Sequence, residues 1–363
     1  MEKLFELIKT LCSLPTVCGH EYMSAEKIRD ISLEYAQGFF DSAEICATGS
    51  ILLWHHTSLE NAPTLLLDAH LDTIGFVVSE ILNDGFVKFE NVGGIDTSIL
   101  PACEIEIYGK ETVRAFFSSV PPHLSKMSNG NEVSKVSDTF ADTGLTCEEC
   151  ERLIPVGTPA AFHPRTDRLM NDRISSVSLD DKICMAACLE MARMLSEEKI
   201  DVNVCVQFST GEERGARGAY ASANLVDADE CIVLDVNFAK EMTSKPGAFL
   251  EMGKGAGLSL SACTWRVLTQ QIYDIAIENK IPCQRIVELC DTGTNAQVLS
   301  RMGTGIKTAV LSIPIRYMHT SVETASLSDA HECAKLLSAY VKHTNKSGTS
   351  KPVYNYKEGE NAR

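Results

Sequence analysis

The stretch Val202-Asn-Val-Cys-Val-Gln-Phe-Ser-Thr-Gly-Glu-Glu-Arg-Gly-Ala216 passes from an apolar run directly to two adjacent glutamates. The apolar run predicts a buried strand, with Glu212 and Glu213 at its exit. Neighbouring side chains of an extended chain point to opposite sides, so these two carboxylates suit two different roles. A hydrolase that uses metal-bound water needs one carboxylate on the metal and one to take the proton. A solvated acidic turn is the common alternative for a lone Glu-Glu pair.

Around this stretch, amphipathic helix patterns alternate with short β-rich runs, which is typical of an α/β domain with a largely parallel sheet. Between residues 73 and 160 the pattern changes to short β-type segments separated by Gly and Pro. We therefore expect one domain in two parts, residues 1–72 and 161–345, interrupted by a small β domain at 73–160. Residues 346–363 contain little apolar sequence, and we expect a flexible tail.

Composition excludes several classes of protein. The 363-residue chain carries a formal net charge of −16, and phosphates would be repelled over most of such a surface, which argues against nucleic acid. No apolar run is long enough to cross a bilayer, and the N-terminus lacks the pattern of a signal peptide, so we expect a cytoplasmic protein. Most of the 14 cysteines lie inside apolar patterns and are interpreted as buried thiols.

Further candidate residues lie where parallel strands end, which is where open α/β sheets gather their chemistry. His70 and Asp72 follow a predicted strand that begins at Thr64, and Asp235 ends the apolar run that begins at Cys231. Asp180 precedes a helical pattern, where its alternative role is a helix N-cap. His319 follows a predicted strand over residues 308–315. Taken singly, His70 is better explained as a core histidine, and a loop histidine such as His319 indicates little.

Together these side chains match the requirements of two metal ions held a few ångströms apart, which need a bridging carboxylate and one histidine and one acid on each ion. One assignment satisfies that count. His70 and Asp235 hold the first ion, Glu213 and His319 hold the second, and Asp180 bridges them. Glu212 is then free to act as the general base.

These residues resemble the tetrahedral dinuclear-zinc aminopeptidases, which include glutamyl, leucyl, lysyl and deblocking aminopeptidases. The similar segments follow the family's order over nearly the whole chain. They are Pro15-Thr-Val-Cys-Gly-His-Glu, Asp68-Ala-His-Leu-Asp-Thr-Ile-Gly-Phe, Pro121-Pro-His-Leu, Leu179-Asp-Asp-Lys, Gly211-Glu-Glu-Arg-Gly-Ala-Arg-Gly-Ala, Leu234-Asp-Val, Met252-Gly-Lys-Gly, Gly293-Thr-Asn-Ala and Ile313-Pro-Ile-Arg-Tyr-Met-His.

The resemblance implies a phosphorylase/hydrolase-like α/β zinc-peptidase fold with an inserted β-barrel, PDZ-like dimerisation domain. It also implies a hollow tetrahedral dodecamer, built from dimers, that admits short peptides. By position, the family's metal roles fall on the five residues assigned above by counting, and its catalytic base falls on Glu212. The implied cofactor is a pair of divalent ions, zinc first, with cobalt or manganese also compatible with these ligands.

Three positions depart from the family's usual pattern. Asn295 stands where the family usually has Asp, Thr73 replaces a frequent Glu, and Arg214 occupies a position that is usually apolar. None is an assigned ligand, so we expect metal binding to survive and substrate preference to shift. Asp72, Arg214, Asn295 and Arg316 are therefore candidate supporting or substrate-contacting residues.

The leading hypothesis is a metal-dependent aminopeptidase in which a water activated by two metals attacks the peptide, with Glu212 as general base. The main alternative keeps the metals but acts on N-acyl amino acids or other small amides. A glycosidase would leave both histidines unexplained. A metal-binding assembly protein without catalysis is the alternative from a different class.

Overall fold

The structure is a computed structural model, and it describes residues 1–119, 135–242, 244, 249–288 and 292–350. The segment at Pro121 that contributed to the resemblance lies outside the described residues. Within the described part of the chain, no helix is both long enough and apolar enough to cross a membrane.

Strands are numbered along the chain. They are β1 Ser42–Ile45, β2 Ile51–His55, β3 Thr64–His70, β4 Gly75–Ile81, β5 Phe86–Val92, β6 Glu104–Tyr108, β7 Thr112–Phe117, β8 Phe140–Asp142, β9 Pro159–Phe162, β10 Thr166–Leu169, β11 Arg173–Ser176, β12 Asn203–Ser209, β13 Glu230–Phe238, β14 Ala256–Leu260, β15 Cys283–Val287, β16 Lys307–Arg316 and β17 Glu323–Ser326.

The helices are numbered in the same way, and short 3₁₀ turns are given by their ranges. The α-helices are α1 Glu2–Cys12, α2 Ala25–Tyr35, α3 Cys147–Leu153, α4 Leu179–Leu195, α5 Arg217–Ala223, α6 Arg266–Glu278, α7 Ala296–Leu299 and α8 Leu327–Ser347. The 3₁₀ turns are Glu21–Met23, Asn83–Gly85, Thr97–Ile99, Val136–Asp138 and Glu212–Arg214.

Eleven of the described strands form one large sheet whose centre is parallel. The order β12-β3-β13-β16 is parallel throughout, and antiparallel strands β2 and β17 flank it. These four central strands are almost continuously buried, as expected for a parallel sheet covered on both faces. Helices α1, α4 and α8 cover one face, while α5 and α7 cover the other. This arrangement confirms the predicted α/β class.

A second unit is a closed six-stranded barrel, in the order β4-β5-β8-β7-β6-β9, within the described residues. Its interior contains four phenylalanines that pack edge to face, with Phe76 5.1 Å from Phe117 and 5.4 Å from Phe162 between ring centroids. Such aromatic contacts supply much of the core of a unit this small. The barrel follows β3 after only four residues, so His70 and Asp72 lie at the junction between barrel and sheet.

The C-terminal end differs from the expected loose tail over its first residues. Helix α8 extends to Ser347, and Ser350 is buried, with its backbone N–H donating to the Glu230 carboxylate at 2.7 Å. Glu230 is itself buried and also accepts from the Tyr340 hydroxyl. Because a buried carboxylate needs hydrogen-bond donors, this site fixes the chain as far as Ser350. Residues 351–363 lie outside the described residues.

A candidate two-cation centre

The carboxyl ends of the central strands meet at one crevice, as expected for an open parallel sheet. His70 is the last residue of β3, Asp235 lies three residues before the end of β13, and His319 follows β16. The 3₁₀ turn Glu212–Arg214 follows β12, and Asp180 lies at the start of α4. The structure therefore brings all six predicted side chains to the same edge of the sheet.

The turn that carries Glu212 and Glu213 is not the extended exit that the sequence suggested. Gly211 adopts a positive φ of +73°, and the chain then curls into a 3₁₀ turn. The Asp72 carboxylate accepts hydrogen bonds from the backbone N–H of Glu212 at 2.9 Å and of Glu213 at 3.1 Å. Asp72 therefore orients this turn. Glu212 and Glu213 project from consecutive positions of a 3₁₀ turn and not from an extended chain.

His70 belongs to a buried group with Asp180 and Asp235, whose ligand-type atoms all lie within 4.8 Å of one another. Its Nδ1 lies 2.9 Å from the backbone oxygen of Asp72 and donates to it, which leaves Nε2 facing the carboxylates. Nε2 is 2.9 Å from Asp180 Oδ1 and 3.9 Å from Asp235 Oδ1. A histidine anchored through one nitrogen with the other aimed at acids has the usual orientation of a metal ligand.

A second group comprises Asp180, Glu213 and His319, again with ligand-type atoms within 4.8 Å of one another. His319 Nε2 lies 3.3 Å from Asp180 Oδ2 and 3.3 Å from Glu213 Oε1. Asp180 is common to both groups and directs one oxygen to each histidine. Glu212 belongs to neither group among the described residues.

The separations within each group suit side chains that share an ion. Two ligand atoms about 2.0–2.2 Å from one tetrahedral ion lie roughly 3.3–3.6 Å apart. The observed contacts of His70 and His319 with their carboxylates range from 2.9 to 3.9 Å. Imidazole nitrogen and carboxylate oxygen are also the donor types that zinc binds. The residues present therefore fit a pair of divalent ions.

The charge balance of the crevice also favours bound cations. The crevice buries more carboxylates than its two histidines can neutralise. Burial raises the pKa of Asp235 well above its ordinary value, with nearby Asp181 adding to the rise. Burial also raises the pKa of Glu212 to about 7, with His70 opposing and Glu213 assisting. A bound cation would stabilise these carboxylates in their charged form.

The two histidines respond to the same excess of acid. Burial alone would lower the pKa of His319, but hydrogen bonds with Asp180 and Glu213 raise it to about 11. The pKa of His70 is likewise raised well above its ordinary value, since Asp180 outweighs the effect of burial.

Sequence reasoning missed several groups that support this centre. Asp181 Oδ2 accepts from the backbone N–H of His70 at 3.1 Å, and the Lys182 ammonium donates to the Leu71 carbonyl. Glu323 accepts from the backbone N–H of both Asp180 and His319. The available signal was a glutamate or aspartate inside an otherwise buried segment, where a carboxylate is costly without partners.

The remaining predicted residues occupy different surroundings. Asn295 is buried, and its Nδ2 donates to Asp68 Oδ2 at 2.8 Å and Ser209 Oγ at 2.9 Å. Arg214 is exposed, and Arg316 Nε donates to the backbone oxygen of Lys240 at 2.9 Å. Neither arginine is an ion-pair partner of the six central side chains within the described residues.

Comparison with known proteins gives a consistent result. The M42 glutamyl aminopeptidase family model matches residues 49–336. Lysyl aminopeptidase from Pyrococcus furiosus is 32% identical over 343 residues, which cover 93% of this chain and 96% of the relative. Glutamyl aminopeptidase from Lactococcus lactis is 23% identical over 356 residues and covers 94% of this chain and 97% of the relative.

Solved structures agree in fold. A TET aminopeptidase from a marine sediment archaeon of the Thaumarchaeota superposes with a TM-score of 0.87 at 27% identity, covering 96% of this chain and 99% of the other. An aminopeptidase from Desulfurococcus kamchatkensis gives 0.86 at 26% identity, covering 97% and 99%. Since the family model spans most of the chain and its histidines and acids converge on one crevice, the chain belongs to the M42 glutamyl aminopeptidase family and is a TET-type peptidase.

Proposed function

We propose that this aminopeptidase removes N-terminal residues from short peptides with the help of two divalent metal ions. The observation that carries the proposal is the position of Asp180, whose two carboxylate oxygens face two different histidines at 2.9 and 3.3 Å. A carboxylate that reaches two metal-binding groups at once is the element that a two-metal site requires.

In this proposal His70, Asp180 and Asp235 hold one ion, while Asp180, Glu213 and His319 hold the other. Zinc is the proposed metal, and cobalt and manganese suit the same nitrogen and oxygen donors. When bound, the ions would lower the pKa of a coordinated water, and their positive charge would stabilise the developing oxyanion. The remaining chemistry belongs to side chains of the protein.

Glu212 is the proposed general base. Its carboxylate belongs to neither ligand group, and Asp72 holds its backbone at the edge of the crevice. It takes the proton from the attacking water and then delivers a proton to the leaving amine.

The neighbouring glutamates provide a matched test. Glu212→Gln is expected to keep the metal content of the wild type while lowering kcat about 100- to 10,000-fold, the usual contribution of a general base. Glu213→Gln is expected to lose metal under dialysis conditions that leave the wild type loaded. Metal analysis beside peptide hydrolysis checks both variants. An active Glu212→Gln enzyme would remove Glu212 from the role of base.

A substrate panel separates aminopeptidase from deacylase activity. We expect hydrolysis of amino-acyl anilides and short peptides with a free N-terminus, and no cleavage of N-acetylated amino acids. The reverse preference would favour a dinuclear-metal deacylase of small amides. Metal-loaded protein that is inert toward every substrate would favour an assembly protein without catalysis.

We also propose that the barrel pairs two chains and that the dimers assemble into a dodecamer. Two solved structures support this assembly. One is described as a dodecamer, and the other, the TET1 peptidase of Pyrococcus horikoshii, is described as able to form a tetrahedron or a large octahedral shell. On the barrel surface, Phe116 and Phe140 are 50% and 36% exposed on adjacent strands. Exposed aromatic residues of this kind are typical of protein interfaces.

A further inference from the structure

Glu323 lies where two segments that carry proposed metal ligands come together. It is the first residue of β17 and pairs with Ser176, the last residue of β11. The chain after β11 leads within four residues to Asp180, and the connection between β16 and β17 carries His319. One side chain can therefore reach the backbone of both segments.

Both oxygens of the Glu323 carboxylate are used in this way. Oε1 accepts from the backbone N–H of His319 at 2.8 Å, and Oε2 accepts from the backbone N–H of Asp180 at 3.1 Å. Glu323 is only 2% exposed and forms no ion pair with Lys or Arg among the described residues. The two donors bond different oxygens, and an amide in place of the carboxylate would present one oxygen and one NH₂ group to them.

The segment that Glu323 contacts contains a residue in an uncommon backbone conformation. His319 has a φ of +63°, in the left-handed region that non-glycine residues rarely occupy. The hydrogen bond from its N–H to Glu323 Oε1 stabilises this conformation. Glu323 is thus placed to keep His319 in the conformation that directs Nε2 at Asp180 and Glu213.

We infer that Glu323 is a positioning residue that fixes the distance between the bridging carboxylate of Asp180 and the imidazole of His319, and so sets the affinity of the ion shared by Asp180, Glu213 and His319. This inference rests on the proposed two-metal function. Glu323 acts through the backbone and contacts neither ion nor substrate. It is a part of the centre that ligand counting does not reveal.

The test is Glu323→Gln, which keeps the size of the side chain but turns one acceptor into an NH₂ group that faces an N–H. Supporting groups behind metal ligands typically contribute 10- to 100-fold to metal affinity. We expect zinc to bind one of the two sites about 10- to 100-fold more weakly in a chelator competition titration. The absorption spectrum of the cobalt-loaded variant should also differ from that of the wild type, because the ligand geometry changes.

Asp329 provides a matched control. It is a buried carboxylate whose two oxygens accept from the backbone N–H of Gly255 at 2.8 Å and of Gly253 at 2.6 Å, in a loop that carries none of the proposed ligands. Asp329→Asn makes the same chemical change and should lower the thermal stability of the metal-free protein. It should leave zinc affinity and the cobalt spectrum unchanged.

The outcomes are distinct. Native zinc affinity and a native cobalt spectrum in Glu323→Gln would overturn the inference, and so would an equal loss of affinity in Asp329→Asn. If Glu323→Gln does not fold, Glu323→Asp, which keeps both acceptors but shortens their reach, is expected to show a smaller loss of the same ion. Failure of the proposed function would appear separately, as a wild-type protein that binds no zinc.

Discussion

Asn295 lies beside the buried carboxylate of Asp68. Its amide nitrogen donates to Asp68, whose other oxygen accepts from Gln207 Nε2 at 2.7 Å. All three side chains are buried. A carboxylate at position 295 would lie against Asp68 with no donor between them, and two buried like charges repel strongly. In this chain the amide of Asn295 therefore supplies one of the hydrogen-bond donors that the buried Asp68 carboxylate needs.

We expect Asn295→Asp to lower the free energy of unfolding by about 1–3 kcal/mol, the usual cost of a buried polar group left without its partner. The double variant Asp68→Asn with Asn295→Asp exchanges donor and acceptor, and it should recover most of that loss. Urea denaturation of the two single variants and the double variant gives the coupling between the positions. Additive losses in the double variant would show that the two side chains do not depend on each other.

At this scale the sequence indicated side chains that the structure brings together in one crevice, but it did not indicate the groups that support them. His70, Asp180, Glu213, Asp235 and His319 were identifiable because histidines and acids beside strand ends have few inexpensive structural roles. Glu323 gave only the general signal of an acid inside a buried segment, because its partners are backbone N–H groups, which every residue has. Nothing in the order of side chains shows which N–H groups will lie within reach of a carboxylate until the strands are paired.

At the scale of elements, the glutamate pair is positioned by β12, by the 3₁₀ turn that follows it and by α5. Gly218 is the second residue of α5, and its N–H donates to the Thr210 carbonyl at 2.8 Å. A Cβ atom at this position would overlap the hydroxyl and carbonyl oxygens of Thr210. The helix can approach the end of the strand this closely only because residue 218 is glycine.

Gly218→Ala is therefore expected to displace the turn, to lower stability by about 1–3 kcal/mol as overpacking does, and to reduce peptide hydrolysis. Tyr220→Ala, on the exposed side of the same helix, should change neither property. Thermal unfolding and kcat/KM of the two variants check this expectation. Wild-type behaviour of Gly218→Ala would mean that the helix moves away freely and does not fix the turn.

For these elements the sequence predicted the buried strand correctly but not the conformation of the residues that follow it. The apolar run that precedes Glu212 forms β12, but the glutamates lie on a 3₁₀ turn and not on an extended exit. Asp235 lies inside β13, which agrees with its predicted place in a buried strand that includes the apolar run from Cys231. Hydrophobic patterns locate buried strands reliably, whereas the ends of strands depend on partners that the pattern does not contain.

For the whole molecule, the confirmed fold is an α/β unit with a largely parallel sheet and a separate barrel, while the proposed assembly awaits measurement. We expect light scattering to give a particle of twelve chains. Phe116→Asp should reduce its size, because it places a charge on the apolar barrel surface proposed to pair two chains. Unchanged assembly of that variant would place the pairing surface elsewhere. A wild-type monomer at micromolar concentration would contradict the assembly itself.

One contact between the two units limits how the protein can be redesigned. Gly93 and Gly94 follow β5 of the barrel and lie beside the crevice. A Cβ atom on Gly93 would lie 3.1 Å from Glu213 Oε2, and a Cβ atom on Gly94 would lie 3.2 Å from His319 Nδ1. The barrel backbone thus forms one wall of the crevice that contains the proposed metal ligands. A minimal enzyme made by excising the barrel and rejoining the chain would open that wall to solvent, so the insertion cannot be treated as a removable accessory.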